Sequence, residues 1–340
     1  MDTREIQFSP TFSGSNGSWF LMELPDAVLT ALRAHQEVLI KGHSEQDAIL
    51  CTESESYLIR SHETSNSLLV LDDSSVCKLA HEVFITEKIV PPVNQVRSLL
   101  AQAPFTWAEE VFAPLYTLAD LQRLVQGSRH EINRELTAMH AFEWKGYWRV
   151  MEDQERIETI KYVLHYMMKQ HLGTVHLSDV LHQMKDFASA PLHSCLSSAG
   201  TVAEDVWTPD PVKLYRMCAT DLLLSKSSYF EEEFRTAFAN LSDMLIPAKL
   251  VRADIPLEGV LSGIAIRKTE KGRPIYRYFP AEVLVKDFAG RLEQLFAVKE
   301  KWSQEELRPY VADVGELQQL LLKFTRRLVE EGVPYYTKKA

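Results

Sequence analysis

The sequence predicts an α+β protein: a β-barrel-like front domain followed by tandem helix-turn-helix units of the winged-helix kind. Three observations carry this. Short runs of β-branched and aromatic residues, separated by turn-rich pieces, fill residues 1–92. Pro91-Pro92 ends that pattern, because two prolines neither extend a strand nor sit inside a helix. Beyond them, apolar residues recur at helical spacing, and the order helix, tight turn, helix, strand returns several times.

In the front domain, strands are expected at 18–24, 37–41, 48–52, 57–61, 67–71 and 82–86, with a helical turn at 29–34. Turns are expected at 42–44, 62–66 and 72–75. The stretch has few large aromatics, so its core is thin, and its sheet edges call for a partner to close them. Tyr57, Leu58, Ile59, Leu68, Leu69 and Val70 flank the expected turn at Thr64-Ser65-Asn66. They are the candidate partner-binding residues, on an edge that a foreign strand would complete through backbone hydrogen bonds.

The next unit, 93–152, opens with a short helix at 93–102. Leu118, Leu121, Leu124 and Val125 make the stripe of a second helix, and Gly127 punctuates it. Ser128 stands three residues before Glu131, the signature of a new helix start. Ile132, Leu136 and Met139 form that helix's apolar face, and Tyr147-Trp148-Arg149-Val150-Met151 reads as a strand. The layout is that of a helix-turn-helix carrying a wing. Trp148 is expected to be buried beside the second of these helices. Glu131 and Glu135 lie among Arg129 and Arg134 and disfavour phosphate there.

A third unit, 153–208, begins with the stripe Ile157, Ile160, Val163, Leu164, Met167, Met168. Helices at 177–184 and 192–196 follow, with Trp207 as a single-strand remnant of a wing. In the unit 209–302, Leu214, Met217, Cys218, Leu222 and Leu223 mark one helix and Phe230, Phe234 and Phe238 the next. Strands at 263–266 and 275–279 then flank a loop with Arg267, Lys268, Lys271 and Arg273. The last unit, 303–340, starts at the capping pair Ser303 and Glu306. It continues with Leu307, Tyr310 and Val311, a turn at Gly315, and the stripe Leu317, Leu320, Leu321, Phe324, Leu328. Lys323, Arg326 and Arg327 are expected on one face of that helix, with Lys338 and Lys339 after the strand behind Gly332. These nine cations, from Arg267 to Lys339, are the candidate DNA contacts. Little at base-reading positions suggests a code, so binding to single- or double-stranded DNA is expected to be sequence-independent.

The 340 residues carry a net charge of −10, unevenly spread. Acidic residues far outnumber basic ones over 1–92, and the balance reverses over 261–340. No apolar run approaches the ~20 residues that span a bilayer, and the N-terminus has no signal-peptide pattern. Cys51, Cys77, Cys195 and Cys218 are scattered and form no zinc pattern. The chain has no Walker loop, dinucleotide fingerprint, nucleophile elbow or zinc helix. No catalytic residue, metal or cofactor is expected.

Four stretches, YLIRSHETSNSLLVL from Tyr57, KGYWRVM from Lys145, LFAVKEKWSQEELRPYV from Leu295 and GVPYYTK from Gly332, carry a family resemblance. Together and in this order the chain resembles the defective-in-sister-chromatid-cohesion family, accessory subunits of the alternative replication factor C clamp loader. The resemblance implies a front module completed by two partners: the loader's small third accessory subunit and the C-terminal tail of its large ATPase subunit. It implies winged helices, usually three, that bind DNA and dock on the catalytic subunit of DNA polymerase epsilon. It also implies an indirect link to the sliding clamp and a place in the nucleus. The chain departs from the family in having only Arg97 on the helix after the front domain. A free-standing transcription regulator and a bridge that binds protein alone are the rival readings.

Overall fold

A computed structural model describes residues 7–9, 12, 20–72, 75–108, 113–184, 186–246, 255–312, 317–330 and 332–339. Its contacts divide the chain into two bodies: Met1–Pro91 with Gln122–Asn133, and Pro92–Leu121 with Arg134–Ala340.

The first body is built on one sheet. Its elements are β1 (Gln7–Phe8), β2 (Met22–Glu23), α1 (Asp26–Arg33), β3 (Leu39–Lys41), β4 (Ile49–Cys51), β5 (Ser56–Asp72) and β6 (Ser75–Lys88). The strand order is β1-β6-β5-β4-β3, with β2 also on β6. β1 and β2 run parallel to β6, and the other pairs are antiparallel. Among the described residues the sheet is open, not a closed barrel. In one cluster Val28, Leu50 and Tyr57 are buried, with Met22, Leu24, Val38 and Ile59 packed on them, and Ile49, Cys51, Val76, Val125 and Ile132 of the same body are buried as well.

The turn expected at residues 62–66 is not a turn. Strand β5 runs through it, with the β6 ladder holding the chain on both sides, up to Glu63 and again from Leu68. The mismatch takes the form of a bulge, in which the five-residue step from Glu63 to Leu68 faces a two-residue step from Glu82 to Ala80.

Gln122–Asn133 joins this body through polar contacts that are buried or part-buried. Lys41 Nζ donates to the carbonyls of Val125 (3.3 Å) and Gly127 (2.6 Å). Gln126 Nε2 donates to the carbonyl of Asp47 at 2.7 Å. Ser56 Oγ donates to Glu131 Oε2 at 2.6 Å and accepts from the Ser128 N–H at 3.0 Å. Ser128 and Glu131 also form the reciprocal cap that their spacing predicts.

Beyond β6 one order of elements recurs four times among the described residues: helix, strand, helix, helix, strand, strand. The first set is α2 (Gln95–Leu100), a bridge at Tyr116, α3 (Leu118–Leu124), α4 (Arg129–Ala138), β7 (Phe142–Trp144) and β8 (Tyr147–Arg149). The second is α5 (Asp153–Lys169), β9 (Val175–His176), α6 (Leu177–Gln183), α7 (Ser189–Ala199), β10 (Gly200–Ala203) and β11 (Val206–Pro209). The third is α8 (Pro211–Ser225), β12 (Ser228–Phe230), α9 (Glu231–Leu245), α10 (Leu257–Leu261), β13 (Ala265–Glu270) and β14 (Arg273–Tyr278). The fourth is α11 (Phe288–Val298), β15 (Trp302–Ser303), α12 (Gln304–Val311), α13 (Leu317–Phe324), β16 (Thr325–Glu330) and β17 (Val333–Lys338). In every set the last strand lies between the other two.

Several expectations are corrected. The boundary at 302/303 cuts β15, because the Ser303–Glu306 capping box opens the second helix of its set, not the first. Trp207 belongs to a full hairpin, β10–β11. Phe230 is a strand residue, and its helix begins one residue later. Trp148 is half-buried; its N–H donates to the Tyr116 carbonyl at 2.9 Å. The turn at Gly315 lies outside the described residues.

The sets have cores of their own and share them. Phe105 and Phe142 cluster with Ile157, Leu164, Leu196, Trp207 and Leu214. Trp302 is 1% exposed. It stands edge-on to Tyr310 at 5.5 Å, with its indole N–H on the Lys299 carbonyl at 2.8 Å. Gly200 is required by a close approach: a Cβ there would collide with the Thr208 carbonyl and the Trp207 indole nitrogen.

Candidate partner-binding edge and basic surfaces

All six candidate partner-binding residues lie on β5, but their edges differ. Leu50 faces Tyr57 and Ile49 faces Leu58 on one side, while Lys88 and Glu87 face them on the other. Tyr57 is 3% exposed and donates its hydroxyl to Glu55 Oε2 at 2.6 Å, so it is a core residue. Burial raises its pKa to about 12. The pairing with β4 ends at the Ile59 N–H, which donates to the Ala48 carbonyl. Past Ile59, among the described residues, β5 is paired only with β6.

That one-sided stretch exposes several apolar side chains. Leu68 is 39%, Leu69 50% and Leu71 45% exposed, while Val70 is half-buried. In an antiparallel ladder alternate residues turn their backbone groups to opposite sides. The N–H of Ile59 points toward β4, so those of Ser61 and Glu63 point the same way, onto the open side. Sequence reasoning missed these two positions, since their backbones offer the bonds and their side chains carry no signal. The far edge of the sheet, β3, also exposes Leu39 and Ile40.

The nine candidate DNA contacts fall on two hairpins. The expected loop of the first is a two-residue turn. Lys271 (φ 50°) and Gly272 (φ 75°) both take left-handed backbone, the geometry that matches strand twist. Arg267, Lys268 and Arg273 are therefore strand residues, and consecutive ones point to opposite faces. Arg267 Nη2 pairs with Glu231 at 2.8 Å, and Glu231 also holds Arg235 at 2.9 Å. These two bonds push the Glu231 carboxyl below its usual range. Lys268 is half-buried, and desolvation lowers its pKa. Arg273 lies over the Phe230 ring at 5.7 Å.

At the C-terminal hairpin the helix α13 ends at Phe324, so Arg326 and Arg327 are on β16 and not on a helix face shared with Lys323. They face Thr337 and Tyr336 across the ladder. Both are exposed, and among the described residues neither makes an ion pair. Lys323 Nζ lies 5.2 Å from the Phe324 ring. Lys338 reaches Glu293 at 3.3 Å. Lys339 donates to the Leu322 and Lys323 carbonyls at 3.4 and 3.2 Å, at the negative end of α13. Among the described residues Lys268, Lys271, Arg273, Lys323, Arg326 and Arg327 thus make no ion pair, whereas Arg267 and Lys338 do and Lys339 donates to backbone carbonyls.

On α4, Glu135 is buried and pairs with Lys286 at 3.3 Å, so it is a structural carboxylate. Arg97 pairs with Glu282 at 3.7 Å. Among the described residues no group of three or more His, Cys, Asp or Glu could hold a metal ion, and no helix is long and apolar enough to cross a membrane.

The family model described as sister chromatid cohesion protein Dcc1 matches residues 19–311, which takes in the whole one-sided strand and three of the four repeated sets. The chain belongs to the Dcc1 family. Among curated members, the human sister chromatid cohesion protein DCC1 is 24% identical over 369 residues, covering 98% of this chain and 92% of that one. The zebrafish (Danio rerio) protein of the same name is 22% identical, covering 96% and 90%. A Dictyostelium discoideum protein named as a probable DCC1 is 21% identical, covering 96% and 94%. The C-terminal hairpin with Arg326 and Arg327 lies past the end of the family model, but the alignments to whole Dcc1 relatives run nearly the full length of this chain.

Proposed function

We propose that this protein acts in sister chromatid cohesion as a non-catalytic accessory subunit of the alternative replication factor C clamp loader. The observation that carries the reading is the one-sided strand β5, with its exposed leucines on a body whose core is thin. A sheet edge of this kind is completed by strand addition. The strands would come from the small third accessory subunit and from the C-terminal tail of the large ATPase subunit, and would turn the open sheet into a barrel.

The four repeated sets are read as winged helices, in which the third helix and the last hairpin are the usual contact elements. In this reading they bind DNA without sequence preference through Lys271, Lys323, Arg326 and Arg327. They also link the loader to the catalytic subunit of DNA polymerase epsilon, in the nucleus, next to the sliding clamp. The chain brings no cofactor of its own. A second reading, in which some of these sets bind protein alone, is favoured by the acidic partners of Arg267 and Lys338. The test is affinity purification of the full chain at moderate salt with mass determination of what comes with it. A large ATPase, the small ATPases and one small subunit are expected; recovery of the chain alone, or as a self-dimer on DNA, overturns the reading.

A further inference from the structure

A cleft of about 390 Å³ opens in the helical body between α5, α7, α8 and the segments around Ser262 and Pro280. That volume is at the lower end of small-ligand sites. Arg156, Lys213 and Arg216 line it, and among the described residues Asp153 and Glu282 are its carboxylates. Both acids are engaged: Asp153 Oδ1 takes Arg156 Nη2 at 2.5 Å, and Glu282 faces Arg97 at 3.7 Å.

Lys213 and Arg216 are held differently. Lys213 Nζ donates to the carbonyls of Ser197 and Gly200, each at 3.3 Å. Arg216 Nη1 donates to the carbonyls of Val260 (3.0 Å) and Ser262 (2.9 Å). Among the described residues neither makes an ion pair. Neutral carbonyls fix the two cations in place without cancelling their charge, while the Glu282 carboxylate acts on Arg216 through space.

We propose that this cleft binds a phosphomonoester, with Lys213 and Arg216 as its charge partners. A guanidinium fork beside an ammonium is the donor set that a phosphate's oxygens fit. Ile157, Ile160 and Met217 line the same cleft and suit the carbon next to the ester oxygen. A duplex presents its phosphates on a convex surface, whereas a cleft admits one protruding group. Burial lowers the pKa of Arg216, as expected for a cation partly stripped of water. Such a cation gains more from an anion than one in open solvent. His140, which lines the cleft too, is held neutral, with its pKa pushed down to about 4 by burial and by the charges of Arg156 and Lys213. It is therefore a built-in reporter.

The experiment is a titration of the full chain with inorganic phosphate, read by the His140 imidazole resonances in a carbon–proton correlation spectrum. Potassium chloride at matched ionic strength is the blank. The expected result is a saturating shift with phosphate and none with chloride. Lys213→Gln and Arg216→Gln should each weaken binding about tenfold, the loss of one charge-assisted hydrogen bond. Lys213→Arg should retain it, and Arg326→Gln, outside the cleft, should leave it unchanged. A capped phosphothreonine peptide separates the two sources of the group. Tighter binding than inorganic phosphate, absent for the unphosphorylated peptide, assigns a modified protein side chain; equal binding assigns a free phosphate ester. A shift that does not saturate, or that survives both Gln variants, overturns the proposal. So does displacement of phosphate by an oligonucleotide duplex, which would assign the cleft to nucleic acid.

Discussion

The sheet body and the repeated helical sets solve the burial problem in opposite ways. The sheet invests 31 residues in β5 and β6, yet among the described residues these two strands bury only Tyr57, Val76 and Ala80 as apolar side chains. The helical sets spend short strands and helices and bury whole tryptophans: Trp207 and Trp302 are among the largest fully buried side chains. A long strand gains its bonds from neighbours, so half of its backbone stays unanswered until a second neighbour arrives. A helix answers its own backbone and needs only an apolar face to be covered. The difference assigns roles: the sheet is the region whose stability should depend on company, and the helical sets are the region that should stand alone.

The largest expected effect tests the self-sufficiency of the helical sets. Trp302→Ala empties the centre of the fourth set and should cost about 3–5 kcal/mol. Trp148→Ala, on a half-buried side chain, should cost clearly less. Thermal melting of the full chain checks both. Equal losses would mean that the fourth set is not an independent core.

The next test addresses the sheet's dependence on company. Glu63→Pro removes an N–H that points to the open side and leaves the bonded ladder to β6 intact. It should shift the chain's own melting by no more than about 1 kcal/mol. It should also reduce capture of the small subunit at least tenfold in a co-purification at fixed concentration. Replacing Leu68 and Leu69 with lysine should do the same by removing the apolar contact. Undiminished capture in both variants would place the partner elsewhere, with β3 and its exposed Ile40 as the next edge.

A third test compares cations that make no ion pair among the described residues with those that do. Reversing Lys323, Arg326 and Arg327 to glutamate should flatten the salt slope of DNA binding by about 2.7 units, at about 0.9 per phosphate contact. Reversing Arg267 and Lys338, already facing Glu231 and Glu293, should change it by less than about 1 unit. Anisotropy titrations on one duplex at several salt concentrations measure both slopes, and equal slopes would remove the distinction.

How much of this was legible in the sequence follows the range of the interactions. The caps at Ser128 and Ser303 are written within three residues and are present as their spacing predicts. The recurring helix pairs are written in apolar periodicity. The continuity of β5 is not local: Thr64, Ser65 and Asn66 suit a turn, but the ladder to β6 resumes at Leu68 and carries them as a bulge within the strand. At Thr325–Glu330 two periods compete. Leu321, Phe324 and Leu328 continue a helical stripe, while Thr325 and Val329 favour a strand. Pairing with β17 through the turn at Gly332 (φ 81°) decides for the strand. That choice moves Arg326 and Arg327 off the helix. The cleft around Lys213 draws on residues from Ala138 to Pro309, a convergence that no spacing rule reports.

The smallest expected effect concerns the charge balance inside that cleft, and the sign can be worked out. His140 carries a left-handed backbone (φ 51°), and its carbonyl accepts a bond from Ser194 Oγ. Its imidazole is desolvated and faces Arg156 and Lys213, with Asp153, Glu282 and Tyr278 lining the same space. The folded pKa of about 4 lies below the ordinary value of 6.5. Between these values the unfolded chain binds a proton at this site and the folded chain does not. The site's contribution to stability is therefore complete above pH 6.5 and is lost progressively as pH falls toward 4. With a discount for the imidazole's partial exposure, the loss is about 1–2 kcal/mol. His140→Gln should remove this part of the slope, so that the melting curves of the variant and the parent converge as pH is lowered from 6.5 to 4. Parallel curves across that window would mean that the imidazole meets solvent in the folded protein, and that the two cations beside it are screened.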